Sequence, residues 1–259
     1  MKTNHTLDLL RANKPAYGLW MQLGSWTISR LLAAQGLLDW LLVDLEHTPT
    51  DPMTASQMCV AISDISAGKC TPLVRPTAGT IDQIKRALDS GAHGVIIPMV
   101  NTAQEAADVV RFSRFPPDGI RGSGGVMPHL GFGADRAEYN ARGNAQILVG
   151  IQIETAEALQ NLDAILDVPG VDMAFIGPND LHLAVGLPPS YWSDAPAFLR
   201  AVERIKAGCK KRGIPLGILC PNGEQAKARA AEGFTFVGIG GDSGVLLDAI
   251  KQNMAGLAR

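Results

Sequence analysis

Ile147-Leu148-Val149-Gly150-Ile151-Gln152-Ile153-Glu154 is a near-continuous apolar run that closes on a carboxylate. Such a run reads as a strand buried on both faces, as in a parallel sheet. Burying Glu154 at its end is costly unless a cation or hydrogen bonds satisfy it, so chemistry is expected there. About a helix and a half further on, Met173-Ala174-Phe175-Ile176-Gly177-Pro178-Asn179-Asp180 also finishes on a carboxylate just beyond its apolar core. Two adjacent parallel strands would bring Glu154 and Asp180 to one mouth.

Working outward, eight short apolar runs recur in a regular rhythm, at 17–22, 40–45, 71–75, 94–99, 147–154, 173–177, 215–219 and 234–240. Amphipathic stretches lie between them, at 54–65, 80–90, 102–112, 156–166, 196–211, 224–232 and 245–257. Strand followed by helix, eight times over, predicts a (β/α)8 TIM barrel. Thr80, Thr102 and Thr155 stand where helix N-caps are wanted, and Gly68, Gly91, Gly170, Gly213 and Gly233 follow the helical patterns where a left-handed residue ends a helix. A doubly wound sheet shares the alternation but calls for a glycine fingerprint after its first strand, and none stands there.

The 259 residues, 46% hydrophobic, carry no linker or low-complexity run, which predicts one domain over 1–259. A formal charge of −2 with dispersed Lys and Arg offers no bulk attraction for nucleic acid or an anionic membrane, so a small-molecule ligand is expected. Cys59, Cys70, Cys209 and Cys220 have no CxxC spacing, which points to a reducing, cytoplasmic setting. The N-terminal stretch lacks the apolar core of a signal peptide, and no apolar run approaches the ~18 residues of a membrane span.

One interval breaks the rhythm. Between Met99 and Ile147 the helical stretch is followed by Phe115-Pro116-Pro117-Asp118-Gly119-Ile120-Arg121-Gly122-Ser123-Gly124-Gly125 and a polar tail to Gly143. It reads equally as a functional loop or lid and as a surface loop or oligomer contact. Arg121 among glycines is a candidate holder of an anionic group.

In a TIM barrel the active site gathers at the C-terminal ends of the strands. After the second run comes Val43-Asp44-Leu45-Glu46-His47, where His47 is either a hydrogen-bonded structural residue or a general base. Arg75 closes the third run, either pairing with Asp44 or Glu46 or stabilising a developing oxyanion. Gln152 and Glu154, two apart, share one side of the fifth strand. Two carboxylates with few other protein ligands suit Mg²⁺ or Mn²⁺. Asp242 in the last loop would repel a phosphate dianion, which favours a packing or carboxylate-side role. No lysine falls inside a strand run, so imine chemistry is not expected and a metal remains as the electron sink.

Together, Val43-Asp44-Leu45-Glu46-His47, Val74-Arg75-Pro76, Pro98-Met99-Val100, Gly119-Ile120-Arg121-Gly122, Gln152-Ile153-Glu154-Thr155 and Gly177-Pro178-Asn179-Asp180 resemble the metal-dependent pyruvate aldolases of the HpcH/HpaI family, from Gly18 to about Leu247. The resemblance implies reversible aldol cleavage of a 4-hydroxy-2-oxo acid, such as 4-hydroxy-2-oxoheptanedioate or a 2-keto-3-deoxy sugar acid, into pyruvate and an aldehyde. It implies that Glu154 and Asp180 hold Mg²⁺ or Mn²⁺, with Co²⁺ or Zn²⁺ as alternatives, and that Gln152, Gly177, Pro178, Asn179 and Leu219 touch substrate. It further implies that His47 is the base, that Arg75 stabilises the enolate, that Asp89 raises the basicity of His47, and that the chain forms a homo-oligomer, a hexamer. Two other readings remain: a carbon–carbon lyase of acyl-CoA esters, like the malyl-CoA and citramalyl-CoA lyases, and a non-catalytic metabolite-binding barrel in which His47 and Arg75 are structural.

Overall fold

Eight parallel strands close into a barrel in chain order: β1 (Ala16–Met21), β2 (Trp40–Asp44), β3 (Thr71–Arg75), β4 (Gly94–Ile97), β5 (Leu148–Gln152), β6 (Met173–Ile176), β7 (Leu216–Cys220) and β8 (Phe236–Gly241). The computed structural model describes residues 1–257, and positions 258 and 259 of the single-domain reading lie outside the described residues. Each strand lies within two residues of the run expected for it. The largest difference that matters is in β5, which ends at Gln152 and leaves Glu154 on the loop beyond.

The barrel interior is filled by inward-pointing large side chains, among them Trp20, Trp40, Leu73, Met173, Phe175 and Phe236. Trp40 stacks on Phe236 with ring centroids 4.1 Å apart and meets Trp20 edge-on at 5.7 Å. Gly18 makes room for this: a Cβ there would overlap the Trp40 indole. A second, larger apolar layer lies between the sheet and the outer helices.

Those helices are α1 (His5–Arg11), α2 (Trp26–Ala33), α3 (Pro52–Ile65), α4 (Ile81–Asp89), α5 (Ala103–Ser113), α6 (Met127–Gly131), α7 (Arg136–Arg142), α8 (Ala156–Gln160), α9 (Leu162–Leu166), α10 (Pro178–Ala184), α11 (Pro196–Arg212), α12 (Gly223–Ala231) and α13 (Asp242–Met254). Thr102 forms a full capping box with Glu105, and Thr155 accepts from the Ala158 N–H. Thr80 sits at the N-cap of α4 without a capping bond, its hydroxyl bonding to Asp82 at 2.6 Å instead. The five glycines expected to end helices all have positive φ. The single helix expected over 156–166 is two short ones, broken at Asn161.

Helix α1 plugs the end of the barrel where the strands begin. Leu7 and Leu10 join the interior cluster, and the Asn4 side chain caps the helix while donating to the carbonyls of His93 and Gln146.

The excursion after α5 overturns the lid reading. Helix α5 runs back to the strand N-terminal end, and the chain folds there as α6, α7 and a 3-10 turn at Gly143–Gln146 before entering β5. Phe132 stacks on the His93 ring at 3.7 Å, and its carbonyl accepts from the Lys2 N–H at 2.7 Å. The excursion therefore covers the floor of its own barrel. Arg121 does hold an anionic group, but an internal one: its buried guanidinium meets Asp89 at 3.1 Å, bonds the Tyr139 hydroxyl at 2.9 Å and lies 4.7 Å from the Phe115 ring.

At the other end of the chain, α13 starts three residues before the expected helix. Asp242 accepts from the backbone N–H groups of Gln22, Leu23 and Ser243, which is the packing role anticipated for it. Beyond Asp242 the helix leaves its apolar side chains, Val245, Leu246, Leu247 and Ile250, about half exposed.

Candidate active site

Strand registry sets Asp44 beside Arg75 at the ends of β2 and β3. The guanidinium takes the fully buried Asp44 carboxylate in a two-pronged grip, Nε to Oδ1 at 2.9 Å and Nη2 to Oδ2 at 2.6 Å, and turns Nη1 to Glu46 at 3.0 Å. Both pairings considered for Arg75 are thus present together. Trp20 lies 5.6 Å from its charge centre across the top of the interior. Held from three sides, Arg75 presents a rigid positive charge at the mouth.

His47 follows on the loop after β2, with its side chain 64% exposed and its Nε2 3.6 Å from Glu46. Burial raises the Glu46 carboxyl above its ordinary range, against the pull of Arg75 and His47. Asp89, expected to serve His47, ends α4 on the floor side, where it pairs with Arg121. Within one chain those two residues occupy opposite ends of the barrel.

Across the mouth, Glu154 is buried and fixed by two donors. The Met99 N–H reaches Oε1 at 2.9 Å and Gln152 Nε2 reaches Oε2 at 2.6 Å. Burial pushes the Glu154 carboxyl up to about 7, opposed by the Met99 N–H and reinforced by Asp180. The other Gln152 atom, Oε1, is buried with no partner among the described residues. Gly177 caps α10 directly beneath: a Cβ there would overlap Glu154 Oε2 and come within 3.3 Å of Gln152 Nε2. Pro178 opens the helix at its first position, where no N–H is needed, and Asn179 and Asp180 follow, both exposed. Leu219, half-buried near the end of β7, tops the interior cluster.

This mouth gathers a fixed cation, an exposed imidazole, an unsatisfied amide oxygen and two carboxyl groups, Glu46 and Glu154, that burial and the nearby Asp180 hold above their ordinary range. Among the described residues no group of three or more His, Cys, Asp or Glu forms a metal cage. Glu154 with Asp180 fits a hard cation that takes its remaining ligands from water and substrate oxygens. Chain order gave no hint of Trp20 beneath Arg75, since β1 and β3 meet only through the interior. Nor did it reveal the Met99 N–H, which depends on a left-handed backbone at a residue other than glycine, with φ of 56°.

These groups stand at the C-terminal mouth of the barrel, where a (β/α)8 enzyme carries its chemistry. The chain belongs to the HpcH/HpaI aldolase/citrate lyase family, whose profile matches residues 16–249. It is 39% identical over 242 residues to a 4-hydroxy-2-oxo-heptane-1,7-dioate aldolase of Shigella sonnei, covering 93% of this chain and 90% of that one. A protein of the same name from Escherichia coli is 38% identical over the same share. Among solved structures, an HpcH/HpaI aldolase/citrate lyase family protein from Burkholderia cenocepacia is 34% identical, superposing with a TM-score of 0.89 over 97% of this chain and 98% of that one.

Proposed function

We propose that the chain cleaves a 4-hydroxy-2-oxo acid reversibly into pyruvate and an aldehyde, with 4-hydroxy-2-oxoheptanedioate the substrate that the names of its relatives favour. The observation that carries the reading is the convergence of Glu154, Asp180 and Arg75 on one mouth beside an exposed His47.

Glu154 and Asp180 would hold a divalent cation, and their hard oxygen donors favour Mg²⁺ or Mn²⁺ over Co²⁺ or Zn²⁺. When bound, that cation supplies Lewis-acid stabilisation to the oxygens of the 2-oxo acid. Gln152, Gly177 and the Pro178–Asn179 backbone enclose the pyruvate portion, and Leu219 packs against it. His47 accepts the proton of the 4-hydroxyl, the C3–C4 bond breaks, and its electron pair moves toward the C2 carbonyl oxygen. Arg75, immobilised by Asp44 and Glu46, balances the charge that develops there. A proton returned to C3 gives pyruvate.

Asp89 lies on the floor of its own barrel, so its service to His47 is assigned to a neighbouring copy. A homo-oligomer, hexameric as in the family it resembles, is further supported by the exposed apolar side of α13. A cytoplasmic setting accords with four free, buried cysteines whose thiols burial pushes up to about 12.

The test is pyruvate release from 4-hydroxy-2-oxoheptanedioate, coupled to lactate dehydrogenase, with Mg²⁺ or Mn²⁺ and after chelation. Cation-dependent turnover that falls at least about 10³-fold in Glu154→Ala is expected. Turnover confined to a citramalyl-CoA-type ester, or binding with no turnover at any cation concentration, contradicts the reading.

A further inference from the structure

Glu154 receives one of its two hydrogen bonds from a backbone group that an ordinary loop would not present. Met99 has φ of 56°, a left-handed conformation that crowds any residue carrying a Cβ. From this loop its N–H donates across the mouth to Glu154 Oε1 at 2.9 Å. The Met99 side chain does nothing evident to enforce it, being about half exposed at the rim of a cavity of about 510 Å³ between α4 and α5.

Asn101 does. Its Nδ2 donates to the Met99 carbonyl at 2.9 Å, fixing the peptide that follows the strained residue. Its Oδ1 accepts from the hydroxyl of Thr155, the residue next to Glu154. Its own backbone is tied down as well: the N–H donates to Glu105 at 2.7 Å and the carbonyl accepts from Asn161 Nδ2 at 2.8 Å. One amide side chain therefore spans from the loop that donates to Glu154 to the loop that carries it.

We infer that Asn101 is a positioning residue: by tying the Met99 carbonyl to the Thr155 hydroxyl it holds the left-handed Met99 loop against the Glu154 loop, keeping the Met99 N–H on the Glu154 carboxylate and setting the orientation in which Glu154 meets a cation. The inference rests on the reading of Glu154 as a cation ligand. Asn101 itself touches neither substrate nor cation. Backbone strain held in place by surrounding bonds is a recurrent device of functional sites.

The test uses two readouts on the full-length protein. With ¹⁵N-methionine labelling, which marks eight residues, amide exchange at Met99 is followed in the metal-free protein. Exchange at least about tenfold faster in Asn101→Ala is expected, since the loop that holds the amide against Glu154 is no longer clamped. Mn²⁺ binding is then measured by the EPR signal of the free ion. Asn101→Ala should bind about tenfold more weakly, and Met99→Gly added to Asn101→Ala should recover most of that loss, because glycine takes positive φ without a clamp. Asn101→Asp, which keeps the acceptor for Thr155 but not the donor to Met99, should weaken binding in the same way and guards against loss of folding in the alanine variant. Unchanged Met99 exchange, or Mn²⁺ affinity in Asn101→Ala within twofold of wild type, overturns the inference, as does a double variant that recovers nothing. A wild-type protein that does not bind Mn²⁺ sinks the cation reading instead, while Met99 exchange still decides whether Asn101 aims the amide.

Discussion

Gly177 lies so close beneath Glu154 that the first atom of any side chain at 177 would overlap the carboxylate oxygen Oε2. The two residues sit at the ends of neighbouring strands β5 and β6, and the bare backbone of Gly177 is what lets Glu154 stay over the barrel while Asp180 follows on the first turn of α10.

Gly177→Ala should therefore displace Glu154 while leaving the barrel folded. Overpacking of this kind costs about 1–3 kcal/mol in stability, but kcat/KM for aldol cleavage should fall by about 10²-fold, because a misplacement of about 1 Å is enough to do so. Steady-state kinetics together with a thermal melt separate the two effects. Near-normal kcat/KM would show that the orientation of Glu154 is not set from below.

Arg75→Lys retains the charge but not the fork. Asp44, fully buried, would keep one hydrogen bond where it now has two from the guanidinium, and Glu46 would lose its direct partner. The expected outcome is a kcat about 10²–10³-fold lower. Arg75→Ala should in addition destabilise the fold by about 3–5 kcal/mol, by stranding the Asp44 charge. Urea unfolding checks the second figure. An Arg75→Ala protein as stable as wild type would mean that Asp44 finds another cation.

On the floor of the barrel, burial, with the charge of Lys2 adding to it, pushes the His93 imidazole down to about 3. The unfolded chain binds that proton near pH 6.5 and the folded one does not, so His93 stabilises the fold above pH 6.5 and the contribution is lost as pH falls. By pH 5 the loss is about 2 kcal/mol. His93→Phe keeps a ring against Phe132 and removes the titration. Its urea midpoint should change less between pH 7 and pH 5 than that of wild type, and parallel profiles would contradict the assignment.

Leu247 and Ile250 lie on the outer side of α13, where an isolated surface substitution ordinarily changes little. If a second copy covers them, Leu247→Asp combined with Ile250→Asp should reduce the mass in light scattering from a multiple of the 27.4 kDa chain to a single copy. A wild-type protein already at one copy would remove the case for an oligomer.

The strands are legible because burial on both faces writes a continuous apolar run, and the ends of those runs place Arg75, Gln152 and Glu154 at the mouth. Gly170 and Gly213 were legible for a different reason, since positive φ strongly selects glycine. Met99 carries no such mark: its left-handed backbone is imposed by Asn101 and the neighbouring loop, contacts that local sequence does not announce. Helix α1 is not legible because its apolar residues, Leu7, Leu9 and Leu10, span too short a stretch to set a period, although Asn4 stands as its cap. Of the two readings open for the excursion, chain order itself argues against the lid. It follows a helix and precedes a strand, and such connections lie on the floor of a (β/α)8 barrel, away from the active site. The same reasoning separates Asp89, at the end of α4, from His47, at the end of β2.

The most direct measurement is exchange of the pyruvate methyl protons with D₂O, followed by NMR, because it reports the enolate without requiring the aldehyde. Exchange is expected with Mg²⁺ or Mn²⁺, should cease on chelation, and should be absent in Glu154→Ala and persist in a control such as Lys227→Ala on the exposed side of α12. No exchange with any divalent cation, or exchange that survives Glu154→Ala, would contradict the assignment of this mouth as the site that forms the pyruvate enolate.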